Sequence, residues 1–171
     1  MKNHAFTLIE VLVVVLIIGI LSAIALPQYQ VSVYKSRLQG LMPIMRAIRE
    51  AETEYKLANG SYTKDLDSLT INFPKGKACS GGSAVYANNY DVCVDYGGTF
   101  CAIDIPEDTA PQVICGTKDP LMLIRLTHPL SGLYWACWST AEKPLTVRVC
   151  KAISGVDRAN NGAHVFSDMR N

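Results

Sequence analysis

The chain has 171 residues and a mass of 18.7 kDa, the size of one domain with at most an appendage. Apolar residues make up 49% and charged residues only 18%, a composition that argues against intrinsic disorder. The net charge of +1 provides no basic excess, so nucleic acid binding is not indicated. The charges are unevenly placed, because residues 1–34 contain only Lys2 and Glu10 as full charges. An apolar N-terminal segment is therefore joined to an ordinary polar domain.

The N-terminal segment contains an apolar run from Phe6 to Leu26. As a helix this run is about 30 Å long, which matches the hydrocarbon core of a bilayer. It is longer than the apolar core of a secretory signal peptide. Glu10 is the only charge between Lys2 and Lys35, and an ionisable residue inside a membrane span indicates a function. A cut just before Phe6 would create an α-amino group close enough to pair with this carboxylate.

Phe6-Thr7-Leu8-Ile9-Glu10, followed by the apolar run, resembles the N-terminal signature of type IV prepilins, whose relatives are the pseudopilins of type II secretion. The resemblance implies that residues 1–5 are a leader peptide. A dedicated inner-membrane peptidase is expected to cut between Ala5 and Phe6 and to N-methylate Phe6. Ala5 stands where the family pattern has glycine. After the cut, Glu10 would be the fifth residue of the mature chain.

Phe6 and Glu10 are predicted to set the register of an assembled filament. In a bundle of apolar helices the carboxylate is withdrawn from water, and it is costly unless a cation pairs with it. The amino group of a neighbouring subunit's Phe6 is that cation. The side chains from Val11 to Leu26 are nearly uniform, so they set no axial offset of their own.

A helical pattern continues after the apolar run. The stripe consists of Tyr34, Leu38, Leu41, Met45, Ile48 and Tyr55, with Glu52 at its missing position. Asn59-Gly60 is a typical helix stop. The pattern predicts a spine helix over residues 6–58, with a transmembrane half over 6–26. Gly19, Pro27 and Pro43 are predicted points of flexibility within it.

Residues 59–171 are predicted to form a globular domain built on an antiparallel sheet. Five segments have strand and turn signals: Tyr90–Asp95, Thr99–Ile105, Leu121–Leu126, Leu133–Trp138 and Thr146–Ile153. Gly97-Gly98 predicts a hairpin between the first two segments. No helix is predicted after the spine. The expected fold class is α+β, with the spine helix packed on a small sheet.

All the cysteines lie in the globular half, which indicates disulfides in an oxidising compartment. They are Cys79, Cys93, Cys101, Cys115, Cys137 and Cys150. A Cys93–Cys101 pair suits the hairpin, whereas the even intervals suit Cys79–Cys93 with Cys101–Cys115, and the residues leave this choice open. Cys137–Cys150 is the favoured pair, since both residues lie on consecutive strand candidates and resemble the C-terminal disulfide loop of type IV pilins.

The histidine, cysteine and carboxylate patterns do not indicate a catalytic or metal-binding site. His4, His128 and His164 have no accompanying nucleophile or phosphate-binding motif, so no enzymatic activity is predicted. The cysteine intervals do not fit a zinc site. Asp157, Asn160, Asn161 and Asp168 form only a loose set of oxygen ligands for calcium. No metal and no cofactor are therefore expected.

The sequence favours a structural subunit of a type IV pilus or pilus-like filament. Its expected partners are copies of itself, the prepilin peptidase and methyltransferase, the inner-membrane assembly machinery and, before assembly, the lipid bilayer. The chain would begin as a single-pass inner-membrane protein with its globular domain outside the cytoplasm, and would end in a surface pilus or periplasmic pseudopilus. The alternatives are a type II secretion pseudopilin and an uncut, membrane-anchored binding domain. The cysteines favour a pilin over a major pseudopilin.

Overall fold

The computed structural model describes residues 7–71, 76–79, 92–105, 110–127, 134–139, 144–155 and 163–167. Helix α1 spans Leu8–Asn59, a short 3-10 helix spans Leu66–Ser68, and helix α2 spans Pro144–Ser154. The strands within these ranges are β1 Lys77–Ala78, β2 Val92–Asp95, β3 Thr99–Asp104, β4 Gln112–Thr117, β5 Met122–Thr127, β6 Tyr134–Ser139 and β7 Ala163–Ser167. The predicted α+β class is confirmed.

The strands form one sheet in chain order, and every neighbouring pair is antiparallel. The hairpin predicted around Gly97-Gly98 joins β2 to β3. Tyr96 N donates to the carbonyl oxygen of Thr99 at 2.9 Å, and Gly97 has a φ of 89°. A left-handed residue in a three-residue loop is a common way to connect two antiparallel strands.

Helix α1 continues unbroken through Pro27 and Pro43. It ends where Gly60 N donates to the carbonyl oxygen of Lys56 at 2.8 Å, next to the predicted stop. Its second half buries the stripe that the sequence indicates. The buried residues of α1 are Leu38, Leu41, Met45, Ile48, Ala51 and Glu52.

The main core lies between one face of the sheet and the two helices. Strands β3 to β6 contribute alternate side chains to it, as expected for strands that bury one face. These side chains are Cys101, Ile103, Val113, Cys115, Met122, Ile124, Leu126, Trp135 and Cys137. The second half of α1 contacts β4 and β5, while α2 contacts α1, β6 and β7. The sheet therefore holds the second half of the spine in place.

The prediction of a strand over Thr146–Ile153, and of no helix after the spine, was wrong. This segment lies inside α2. Its β-branched residues favour a strand locally, but the buried residues Thr146, Val149, Cys150 and Ile153 have the spacing of one helix face. Pro144 occupies the first position of the helix, where a missing N–H is harmless. Packing of this face on α1 and β6 overrides the local preference.

Three strands were not anticipated: β1, β4 and β7. Strand β4 lies in the middle of the sheet, between β3 and β5. Its Gly116 faces Leu123 in the register, and a Cβ there would lie 2.1 Å from the carbonyl oxygen of Met122. Only glycine permits this approach of β5, and its presence weakened the strand signal in the sequence.

Candidate anchoring and assembly site

The N-terminal part of α1 projects away from the globular domain as an exposed apolar rod. Its large hydrophobic residues from Leu8 to Leu26 are 48–80% exposed. Within the part of the chain that the structure describes, α1 is the one helix long and apolar enough to cross a membrane, judged by length and composition. A long exposed apolar surface of this kind is typical of a site that contacts lipid or other protein.

Thr7 and Glu10 close the start of this rod in a capping box. Thr7 N donates to Glu10 Oε2 at 2.8 Å, and the Thr7 hydroxyl donates to the same oxygen at 2.7 Å. Glu10 N donates to Thr7 Oγ1 at 3.4 Å. The carboxylate thus satisfies the backbone N–H of Thr7, the Thr7 hydroxyl satisfies the N–H of Glu10, and the carboxylate lies at the positive end of the helix dipole.

The capping box shows how a carboxyl is accommodated at the head of an apolar helix. Glu10 is exposed, and the contacts that hold it come from its own chain. Its proposed partner, the amino group of Phe6, lies outside the described residues, as does Ala5. The predicted processing and registry roles of Ala5, Phe6 and Glu10 therefore remain predictions. The capping role of Thr7 was not predicted from the sequence, although a threonine three residues before a glutamate is the sequence signature of a capping box.

The predicted flexible points of α1 also remain predictions. Pro27 lacks the N–H that would bond to the carbonyl of Ala23, and Pro43 lacks the bond to Gln39. Gly19 has open space around its Cα. Gly19, Pro27 and Pro43 each make the helix less stable than alanine would at the same position, yet all three residues are helical in this structure.

Three disulfides join parts of the globular domain: Cys79–Cys93, Cys101–Cys115 and Cys137–Cys150. The first joins the residue after β1 to β2, and the second joins directly opposed residues of β3 and β4. The third is the pair favoured from the sequence, but it joins strand β6 to helix α2 rather than to another strand. The hairpin pairing Cys93–Cys101 does not occur.

The described residues contain no group of three or more His, Cys, Asp or Glu side chains placed to hold a metal ion. His4 and His128 lie outside the described residues, and so do Asp157, Asn160, Asn161 and Asp168. His164 lies on β7. Among the described residues, the features considered for a functional site are the apolar rod, the capped carboxylate of Glu10 and the disulfide-linked sheet.

These features define a class of α+β protein in which a long N-terminal helix is half exposed and apolar and half packed on a disulfide-bonded sheet. A sequence profile for the prokaryotic N-terminal methylation motif matches residues 1–26. This match covers the apolar rod and the residues around the predicted cut.

Several known fimbrial proteins are similar to the chain. A fimbrial protein of Moraxella nonliquefaciens is 36% identical over 67% of this chain and 63% of its own length. The type IV major pilin protein PilE of Neisseria gonorrhoeae is 40% identical over 40% of this chain and 41% of its own length. The fimbrial protein EcpC of Eikenella corrodens is 28% identical over 87% of this chain and 91% of its own length. The chain is therefore similar to type IV pilins and other fimbrial proteins, and it carries their N-terminal methylation motif. It matches less than two thirds of the length of the first two relatives, and no solved structure matched it.

Proposed function

We propose that this chain is the structural subunit of a type IV pilus or pilus-like filament. It is made as a membrane-anchored precursor whose apolar half, residues 6–26, lies in the inner membrane. The peptidase removes residues 1–5 and N-methylates Phe6. The processed subunit then polymerises through its N-terminal helix, with residues 59–171 outside the membrane. The observation that carries this proposal is the exposed apolar rod headed by a single carboxyl, within the segment that matches the methylation motif.

The exposed rod supports both stages of this proposal. In the membrane, each buried CH₂ group stabilises insertion by about 0.8 kcal/mol, so an apolar helix of this length is held firmly. In a filament, the same surface is covered by the rods of other subunits. Polymerisation exchanges lipid contacts for protein contacts and leaves the globular domains outside.

The capping box supports a role for Glu10 that changes between these stages. In the isolated chain, two donors of Thr7 hold the carboxylate. Cleavage before Phe6 adds an ammonium group one residue from Thr7. A neighbouring subunit that places this ammonium group against Glu10 satisfies the charge when the rods exclude water. Any other axial offset leaves buried charges unpaired.

The proposal is tested by electron microscopy of sheared surface filaments, with mass spectrometry of their subunit. We expect filaments made of chains that begin at N-methylated Phe6. A surface chain that retains residues 1–5 contradicts the processing step and fits an uncut membrane-anchored domain instead. Filaments confined to the periplasm, together with a secretion defect in a deletion strain, indicate a pseudopilin.

The role of Glu10 is tested with Glu10→Ala, using Glu50→Gln as the matched control. Both changes remove one exposed carboxyl from α1, but Glu50 lies outside the apolar rod. We expect Glu10→Ala to insert in the membrane and be cleaved, yet to form few or no filaments, whereas Glu50→Gln assembles normally. If Glu10→Ala is cleaved and forms filaments at the wild-type level, the registry argument is wrong. If it is not cleaved, the comparison is repeated on a chain that begins at Phe6.

A further inference from the structure

Glu52 is a carboxyl residue at a core position of the spine helix. It lies one helical turn after Ile48 on the buried stripe of α1, and both side chains are 0% exposed. Glutamate is almost never fully buried unless a cation pairs with it. In this chain the glutamate belongs to the second half of α1, far along the helix from the apolar rod.

The main contact of Glu52 joins α1 to the segment Ser61–Ile71, which leaves the end of the helix. Thr63 N donates to Glu52 Oε2 at 3.2 Å, and Thr63 is itself 8% exposed. The Thr63 hydroxyl in turn accepts from Asp65 N at 3.0 Å, so this bond holds the start of a small turn. The other oxygen, Glu52 Oε1, is buried and has no hydrogen-bond partner.

Several charged residues lie close to Glu52 along the chain. Arg49 and Lys56 flank it on α1, and Lys56 lies 4.4 Å from the ring centroid of Tyr62. In the segment, Lys64 and Asp65 follow Thr63 directly. On the packed elements, Arg148 and Lys151 are exposed on α2, and Arg125 on β5 donates to Gln112 on the opposite face of the sheet. Burial raises the pKa of Glu52, and the Thr63 N–H lowers it in part.

We propose that Glu52 is a pH-responsive latch that fastens the segment Ser61–Ile71 to the spine helix. Protonated, the carboxyl is neutral, accepts the Thr63 N–H and keeps the segment docked. Ionised, it places a charge at a buried position with one oxygen unpaired, and the segment opens more readily so that water reaches the carboxylate. This inference concerns the isolated subunit and does not depend on filament formation.

The direction of the pH effect follows from proton linkage. A docked carboxyl with a raised pKa binds its proton more tightly than the same carboxyl in the open segment. Between the ordinary carboxyl pKa and the raised value, docking therefore weakens as the pH rises. The contribution of Glu52 to docking of the segment is fully present below the pKa of the open state. It is lost once the pH exceeds the pKa of the docked state. Each unit of pKa difference corresponds to a tenfold change in the opening equilibrium.

The test is hydrogen exchange of the Thr63 amide in the full chain in detergent micelles, from about pH 4 to about pH 8. The Gly60 amide serves as an internal reference for the intrinsic effect of pH on exchange, because it bonds to the carbonyl of Lys56 and to no carboxyl. We expect the protection of Thr63 relative to Gly60 to fall with rising pH in the wild type. If the protection of Thr63 relative to Gly60 does not change with pH in the wild type, the proposal is overturned.

Two variants locate the effect. Glu52→Gln keeps an acceptor for Thr63 N–H and removes the titration, so we expect a flat protection ratio across the same range. Glu54→Gln is the matched control, since Glu54 is exposed, lies two residues away and accepts a bond from the Thr70 hydroxyl of the same segment at 3.3 Å. It is expected to keep the wild-type pH dependence. An unchanged pH dependence in Glu52→Gln, or its loss in Glu54→Gln, contradicts the latch.

Discussion

The disulfides allow the effect of a cross-link on chain entropy to be separated from the effect of burial. The paired cysteines are 14, 14 and 13 residues apart. In the chain-entropy description, closing a loop of this length stabilises the folded state by about 3 kcal/mol. The entropic contribution is therefore nearly the same for each pair, and differences between them report the packing of the folded state.

The burial of the pairs differs. Cys137 and Cys150 are 0% exposed, whereas Cys79 and Cys93 are only partly buried. We expect replacement of Cys79 and Cys93 by alanine to lower the free energy of unfolding by about 3 kcal/mol. Replacing Cys137 and Cys150 by alanine also removes two sulfur atoms from the core, at about 1 kcal/mol each. The total expected loss for this pair is about 5 kcal/mol.

The measurement is urea unfolding of the full chain in a mild detergent, followed by the fluorescence of Trp135 and Trp138. Both tryptophans lie on β6, next to the Cys137–Cys150 bond. Non-reducing peptide mapping verifies that the two remaining disulfides are intact in each double variant. If the free energy of unfolding falls equally for the two pairs, or falls more for Cys79 and Cys93, burial of Cys137 and Cys150 adds no stability and the packing explanation is refuted. If replacing Cys79 and Cys93 leaves the free energy of unfolding nearly unchanged, the chain-entropy explanation is refuted.

Three further predictions follow from the packing and charge of the globular half. Ile48→Ala removes a fully buried side chain between α1 and the sheet and should lower the free energy of unfolding by about 2 to 5 kcal/mol in the same urea assay. Gly116→Ala places a Cβ against the backbone of β5 and should lower it by about 1 to 3 kcal/mol, whereas Gly40→Ala, with open space around it, should not destabilise. The Lys118 ammonium and Gly97 N–H hold the pKa of Asp95 below its usual value, so this stabilisation is present at neutral pH and is lost as the pH falls through the lowered pKa. Asp95→Asn should therefore show a weaker acid-induced fall in melting temperature than the wild type, and an identical fall would contradict this.

The long helix was predictable because its signals agree with one another. The apolar rod, the periodic stripe and the stop at Asn59-Gly60 all indicate one helix, and α1 ends at Asn59. Even Glu52 appeared in the sequence as a member of the stripe. Its hydrogen bond to Thr63 was not predictable, because it depends on how the following segment folds back onto the helix.

The globular half was less predictable because its signals conflict. In α2, β-branched residues favour a strand while the spacing of the buried residues favours a helix, and tertiary packing decides between them. In β4, Gly116 weakens the strand pattern at the position where two backbones approach most closely. The pairing of Cys101 with Cys115 depends on β4, since these residues face each other across β3 and β4. Because β4 was not predicted, the residues alone could not decide whether Cys101 pairs with Cys115 or with Cys93.

Two carboxyls interrupt the apolar pattern of α1, and they do so for opposite reasons. Glu10 is exposed in the isolated chain, so its burial requires a second molecule. Glu52 is buried by its own chain, so its environment depends on the docking of the segment after the helix. Replacement by glutamine therefore separates the two roles. At Glu10 it should reduce filament formation and leave the exchange of the Thr63 amide unchanged, whereas at Glu52 it should alter the pH dependence of that exchange in a chain that has not assembled.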